Sequence, residues 1–236
     1  MPNVGLAQVL VETRGGRSVV AQQLGKAPLQ VHSPLYLDGA NYPTVFLRTP
    51  SSGLLAGDEH HLTIRVTKNA SLEIRTQAST LVYPGASLQR IEIELEDDAS
   101  LIFNPHSLIL ARESSLRQTI SVSLKASSNL HYSDHWSAGR VAMKNECWQF
   151  EQFINTVKIN VEGTLIYREN WQLRPQQFDV RNPLIAGPYQ HFRNTYLHGS
   201  FVTSVDARRQ GDQERTWTLE RQGLTIHRHA SVKTIP

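Results

Sequence analysis

Cysteine is nearly missing from this sequence: Cys147 is the only one in 236 residues. No intrachain disulfide can form and no zinc cage can be built from thiolates, which suits a reducing compartment. Long apolar runs are also missing. None approaches the roughly 18 residues that a membrane helix needs. Met1-Pro2-Asn3-Val4-Gly5 lacks the basic segment and apolar core of a secretory signal, so the chain reads as cytoplasmic with no membrane partner. Blocks of cationic residues are lacking too. Arg208-Arg209 is the only adjacent pair and the net charge is +3, which argues against a nucleic-acid partner. No Gly-x-x-x-x-Gly-Lys-[Ser/Thr] loop offers a nucleotide cradle, and no Gly-x-Ser-x-Gly elbow offers a hydrolase nucleophile.

Apolar residues arranged at period two are abundant. Ile91-Glu92-Ile93-Glu94-Leu95 is one example, and it describes a strand with one buried face and one wet face. Leu62 to Thr76, Ile91 to Pro105 and Ile120 to Ser133 share one plan: a strand, a short polar turn, and a second strand opening on leucine. Those leucines, Leu72, Leu101 and Leu130, stand 29 residues apart. A looser fourth copy runs from Val157 through a turn at Glu162-Gly163-Thr164 to Tyr167. One such unit has no means of burying its own apolar face, so a regular period implies stacked units. The expectation is an all-β fold: layered antiparallel strands forming an elongated β-superhelix or sandwich-like stack, with very little helix. An ordinary β-sandwich with coincidental spacing is the alternative. Tyr189 to Leu197 is the best helical stretch. No linker divides the chain, so residues 1–236 are expected as one domain.

Two segments are more particular. Gly57-Asp58 precedes the first repeat, which ends in Thr76-Gln77-Ala78-Ser79-Thr80-Leu81-Val82-Tyr83. Gly139-Arg140 is followed by Glu146-Cys147-Trp148, and Asn104-Pro105-His106-Ser107 lies between the two segments. In order and spacing, over roughly Pro28 to Arg174, this set resembles the urease accessory protein D family (UreD, also called UreH). There the pattern is a Gly-Asp turn, a Thr-Gln-Ala segment ending in tyrosine, and a Gly-Arg followed by Gly-Glu-x-aromatic. Between Arg140 and Glu146 the chain has one residue more than that pattern, a slip that would turn a side chain to the other face of a strand.

The resemblance implies a non-enzymatic chaperone that binds apo-urease and accessory protein F (UreF), and through it the GTPase UreG. It also implies nickel as cargo in transit, with no permanently bound cofactor. A passage for a divalent cation needs acidic groups that replace hydration yet release the ion. Asp58 and Glu146 lie in the matching motifs and are the candidates, with Gly57, Gln77, Tyr83, Gly139 and Arg140 as the surrounding motif residues. Other roles stand beside these. Asp58 can instead hold the backbone of its turn, and Glu146 can pair with Arg140 at a buried corner. His227 and His229 fall on one strand face as a weak metal pair, while Cys147 fits a small core residue. Two other functions stay open: a diverged scaffold that no longer serves urease, and a β-fold carbohydrate-active enzyme using Asp134 and Glu146 as paired carboxylates.

Overall fold

The computed structural model describes residues 3–51, 53–143, 146–201 and 214–232. Strands dominate them. Among the described residues the only helical elements are two single 3-10 turns, at Leu37–Gly39 and Gly199–Phe201. Two sheets pack face to face. Sheet A has the strand order β15-β14-β12-β9-β6-β1-β2, and the main path of sheet B runs β17-β18-β16-β13-β10-β7-β4-β3. Sheet A is built from β1 (Asn3–Arg14), β2 (Arg17–Lys26), β6 (Asp58–Val66), β9 (Gly85–Leu95), β12 (Ser114–Leu124), β14 (Gln152–Val161) and β15 (Thr164–Leu173). Sheet B is built from β3 (Gln30–Val31), β4 (Thr44–Arg48), β7 (Ser71–Thr76), β10 (Ser100–Phe103), β13 (Asn129–Ser137), β16 (His191–His198), β17 (Glu214–Arg221) and β18 (Leu224–Ser231). Three short strands join sheet B at its side: β5 (Gly53–Leu54), β8 (Thr80–Val82) and β11 (Leu108–Leu110).

The 29-residue period is the pairing register itself. Leu101 lies opposite Leu72 on one side and Leu130 on the other. Across the core, Leu62, Ile91 and Ile120 form the matching row in sheet A, and Val157 continues it. These pairings are parallel, which corrects the expectation of antiparallel layers. The two strands of one repeat do not pair with each other. They face each other across the core, and each pairs with its counterpart in the next repeat.

Turn chemistry explains the difference. A two-residue hairpin of type I′ needs φ > 0 at both central positions. Gly15-Gly16, Glu162-Gly163 and Gln222-Gly223 all meet that condition, and they join β1 to β2, β14 to β15 and β17 to β18 as antiparallel hairpins. The turns after β6 and β9 have a single left-handed residue, Asn69 or Asp98. They arch from one sheet to the other, and Ala70 and Ala99 are buried inside the bend. The fourth copy is therefore a copy in its first strand only, because β15 folds back on β14 instead of crossing to sheet B. The stretch expected as helix is β16, whose even-numbered side chains Phe192, Asn194, Tyr196 and His198 are all buried.

Candidate functional site

The inward-facing rows of this sandwich are mostly apolar, and polar residues interrupt several of them at one shared level. On β12, Gln118 sits between Leu116 and Ile120. On β14, Asn155 sits between Phe153 and Val157, and on β13, Asp134 sits between Tyr132 and Trp136. On β16, Asn194 is flanked in the same way by Phe192 and Tyr196. Pairing aligns these exceptions. His60, Gln89, Gln118 and Asn155 lie in direct register across sheet A. Asp134, Asn194 and Arg228 lie in direct register across sheet B. The result is a polar seam through the interior that divides the apolar core into two clusters. One is built around Ile64, Leu101 and Tyr196, the other around Trp136, Phe153 and Phe192.

Asp134 is the centre of the seam. Asn155 Nδ2 donates to its Oδ2 at 2.5 Å and Gln118 Nε2 to its Oδ1 at 3.5 Å. Burial raises its pKa to about 7, against the opposing effect of the Asn155 hydrogen bond and with some help from the Glu169 charge. His60 is pushed the other way, down to about 4, by its own burial. It therefore stays neutral at pH 7 and keeps a lone pair available. Several buried polar atoms along the seam have no protein partner among the described residues: His60 Nε2, Gln118 Oε1, Tyr132 Oη, Asn155 Oδ1 and Asn194 Nδ2. An unpartnered buried polar group costs about 1–3 kcal/mol, so a row of them is retained against stability. At the far side, Arg228 pairs with Glu169 at 2.6 Å, and Glu169 also accepts from Tyr167 at 2.9 Å, from Tyr196 at 3.1 Å and from Trp171 Nε1.

The near side opens into a cavity of about 380 Å3 that reaches His60, Gln118 and Asp134. Its mouth is built from two of the sequence motifs. Thr76 of the Thr-Gln-Ala segment accepts from the His106 backbone N–H at 2.8 Å, and its hydroxyl meets His106 Nδ1 at 2.9 Å. Gln77, Pro105 and His106 line the opening. Among the described residues no group of three or more His, Cys, Asp or Glu side chains converges as a metal cage. The donors are instead spaced along the seam.

The other motif residues form corners. Gly57 and Asp58 close the turn into β6. Gly57 has φ +84° and donates to Ala86 O at 2.7 Å. Asp58 accepts from the Leu55 backbone N–H at 2.9 Å and from Asn3 Nδ2 at 3.1 Å, so its carboxylate does hold the turn. It also stands two residues before His60 on the same buried face of β6. Tyr83 donates its backbone N–H to Leu54 O at 2.9 Å in the layer below.

Arg140 grips Glu146 with both nitrogens, Nε at 2.6 Å and a second, shorter contact from Nη2. Their side chains are 45% and 17% exposed. The expected pair forms, but at the surface and not in a buried corner, so truncating Arg140 strands no buried charge. The hydrogen bond from Arg140 holds the Glu146 carboxyl below its ordinary range. Neither residue lines the cavity. Arg140 and Glu146 both stand between β13 and β14, outside either strand, so the slip turns neither of them to another strand face. The carboxylate whose charge reaches Asp134 is Glu169, not Glu146, so Asp134 and Glu146 do not form the pair that a glycosidase needs.

Gly139 holds this loop against the body. Its φ is +139°, and a Cβ there would overlap the Glu146 carbonyl oxygen. Gly139→Ala is expected to destabilise the protein by at least about 1–3 kcal/mol from backbone strain alone, seen as a lower urea midpoint. An unchanged midpoint would show that the loop is free to move away. His227 and His229 share a face of β18, as expected. Each ring is tied through Nδ1 to a threonine on β17, Thr218 at 3.0 Å and Thr216 at 3.2 Å. Cys147 is half-buried and packs against the aromatic cluster.

The seam was missed in the sequence, although His60, Gln89 and Gln118 repeat at 29-residue spacing. Three polar side chains at one phase of an apolar repeat were the available signal.

Comparison with known proteins supplies a context for this site. The family model described as UreD urease accessory protein matches residues 4–232. The similarity thus continues well beyond Arg174, to the final hairpin. Urease accessory protein UreD 2 of Synechococcus sp. (strain JA-3-3Ab) is 31% identical over 226 residues, covering 94% of this chain and 80% of that protein. Urease accessory protein UreD of Synechococcus sp. (strain JA-2-3B'a(2-13)) is 35% identical over 235 residues, covering 95% and 79%. Urease accessory protein UreH of Helicobacter pylori (strain P12) is 28% identical over 185 residues, covering 77% and 69%.

Proposed function

The chain belongs to the UreD family of urease accessory proteins and so has a role in urease maturation; within that role we propose that it is a non-catalytic cytoplasmic scaffold whose interior seam carries nickel toward apo-urease. Its partners in this reading are apo-urease and UreF, with UreG joined through UreF. The observation that supports it is the polar row across the core, His60 to Asn155 in sheet A and Asp134 to Arg228 in sheet B, with a cavity at its near end.

A hydrated divalent cation entering past Gln77 and His106 would exchange water for imidazole, amide and carboxylate donors in turn. Transit needs sites that compensate dehydration without trapping the ion. Spaced amides, a neutral His60 and the single carboxylate of Asp134 satisfy both conditions. Carboxylate, carbonyl and imidazole groups suit nickel far less tightly than a thiolate cage would. Asp58, on the same face as His60, extends the row toward the corner of the stack. Glu146 in this reading shapes the loop through Arg140 and meets no ion in the interior. Variants that fill the seam with apolar side chains should lower nickel incorporation into urease while the complex stays assembled.

A further inference from the structure

The two sheets do not end together. Sheet A stops at β15, which packs beneath β16 and β18: Tyr167 Oη accepts from Arg228, and the Tyr167 ring lies 6.0 Å from that of Tyr196. Sheet B continues one strand further, to β17. The inward residues of that last strand, Arg215, Trp217 and Leu219, overhang the edge of β15. With β18 and Trp171 they enclose a groove of about 390 Å3. Trp217 is 45% exposed and Leu219 48%, and Ile185, which also lines the groove, is 40% exposed. Clustered apolar exposure of this kind marks an interaction surface.

Among the described residues no strand pairs with the outer edge of β15 beside the groove. β15 is ten residues long, Thr164–Leu173, contains neither proline nor lysine, and its one bulge, at Ile166, lies toward the end away from Trp171. Natural sheets mask such an edge with short strands, proline, lysine or a cover, because its free N–H and C=O groups are a template for another strand. Sheets pack about 10 Å apart and strands about 4.8 Å apart. One more strand on β15 would therefore lie directly under Trp217 and Leu219 and complete the two-layer stack. Among the described residues the groove lining holds no aspartate or glutamate; Arg228 is already paired with Glu169 and burial lowers the pKa of His229, so Arg215 is the cation offered to a partner.

We propose that an extended segment of a protein partner, with apolar side chains alternating with acidic ones, adds as a strand to β15 and fills the groove beneath β17. Its backbone pairs with the free edge, its apolar row covers Trp217 and Leu219, and a carboxylate reaches Arg215. This surface rests on the scaffold reading and meets the far end of the seam at Asn194 and Arg228, which line the groove; Trp217 and Leu219 lie outside the seam.

The probes are three eight-residue peptides: alternating valine and glutamate, alternating valine and lysine, and the glutamate peptide N-methylated at every second residue. Backbone hydrogen exchange of β15 in the full-length chain is the readout. The glutamate peptide should protect β15 amides and bind at least tenfold more tightly than the lysine peptide. N-methylation should abolish protection. The double variant Trp217→Ser/Leu219→Ser should lose binding with unchanged circular dichroism and urea midpoint, since both side chains are half exposed. Equal protection by the glutamate and lysine peptides, or protection that survives N-methylation, would overturn strand addition. Protection that grows with protein concentration alone would show a second copy as the occupant and also overturn it. In reconstitution, a double variant that assembles and matures urease like the wild type would refute the surface while leaving the seam untouched. Loss of assembly by the double variant, with seam variants still assembling, is the expected contrast.

Discussion

Asp134→Asn should make the protein more stable at pH 8 and leave it unchanged near pH 4. The buried carboxyl has a pKa of about 7, against about 3.9 for an unfolded aspartate. Between those values the folded state binds more protons than the unfolded one, so this group's contribution to stability falls as pH rises from about 4 to about 7. At pH 8 the ionised side chain opposes folding by an amount on the order of 4 kcal/mol. Asparagine removes that penalty without changing shape. Its extra N–H group can be met by rotating the amide of Gln118 or Asn155, both of which have an oxygen with no partner among the described residues. Urea unfolding at the two pH values measures the difference. A gain at pH 4 but not at pH 8 would mean that the carboxyl is not the buried acid described here. The same variant loses the one carboxylate facing the near cavity, so nickel incorporation should fall at least tenfold even as the protein becomes harder to unfold. Greater stability with lower activity is the signature of a group retained for function.

Trp136→Ala should have the opposite effect and the largest cost to the fold. Trp136 is 1% exposed, and it stacks on Phe192 with ring centroids 4.1 Å apart and an interplanar angle of 14°. It also meets Trp148 and Trp171 edge-on and tilts against Phe153. Removing a buried ring of this size costs about 3–5 kcal/mol. The site has little freedom to collapse, because its neighbours come from four separate segments. The urea midpoint should fall steeply and the near-ultraviolet circular dichroism should weaken, while Trp136→Phe recovers most of both. Because Trp136 forms the wall beside Asp134, the alanine variant should also widen the seam. A midpoint shift of less than about 1 kcal/mol would mean that the second core cluster does not bear on stability as described.

How much was readable beforehand depended on which contacts were local. The period-two alternation of Ile91 to Leu95 and the leucines at 72, 101 and 130 set out the strands and the repeat, because both are one-dimensional patterns. Orientation was harder. A strand, a short turn and a strand read as a hairpin, yet Asn69 and Asp98 supply one left-handed residue where a type I′ hairpin needs two. The twin positions Gly15-Gly16, Glu162-Gly163 and Gln222-Gly223 separate the true hairpins from the arches, and two of those pairs need a left-handed Glu162 or Gln222 that no propensity suggests. The motifs near Gly57, Gln77 and Gly139 pointed to the right family. They also pointed to carboxylates at its corners instead of the carboxylate in its core. The place of Asp134 in the seam was concealed because β13 carries polar residues on both faces: Ser133 and His135 alternate with it, and His135 also reaches the near cavity. Only the pairing with β12 and β14 shows that Asp134 meets Gln118 and Asn155. Arg140 and Glu146 were paired correctly but placed too deep, since a short loop and a buried corner look alike in sequence.

The central claim is that nickel passes through the polar seam between the sheets, and the most direct test is the nickel content of urease matured with Gln118→Leu/Asn155→Leu. Leucine at these positions joins Leu116 and Ile120 on one strand and Phe153 and Val157 on the next, but it also removes both hydrogen-bond donors to Asp134, so a loss of at least about 1–3 kcal/mol of stability should accompany it. The account predicts a folded variant that assembles with apo-urease and its partners, as judged by size-exclusion chromatography, and delivers at least tenfold less nickel per active site than the wild type. Full nickel loading by this assembled variant would contradict it.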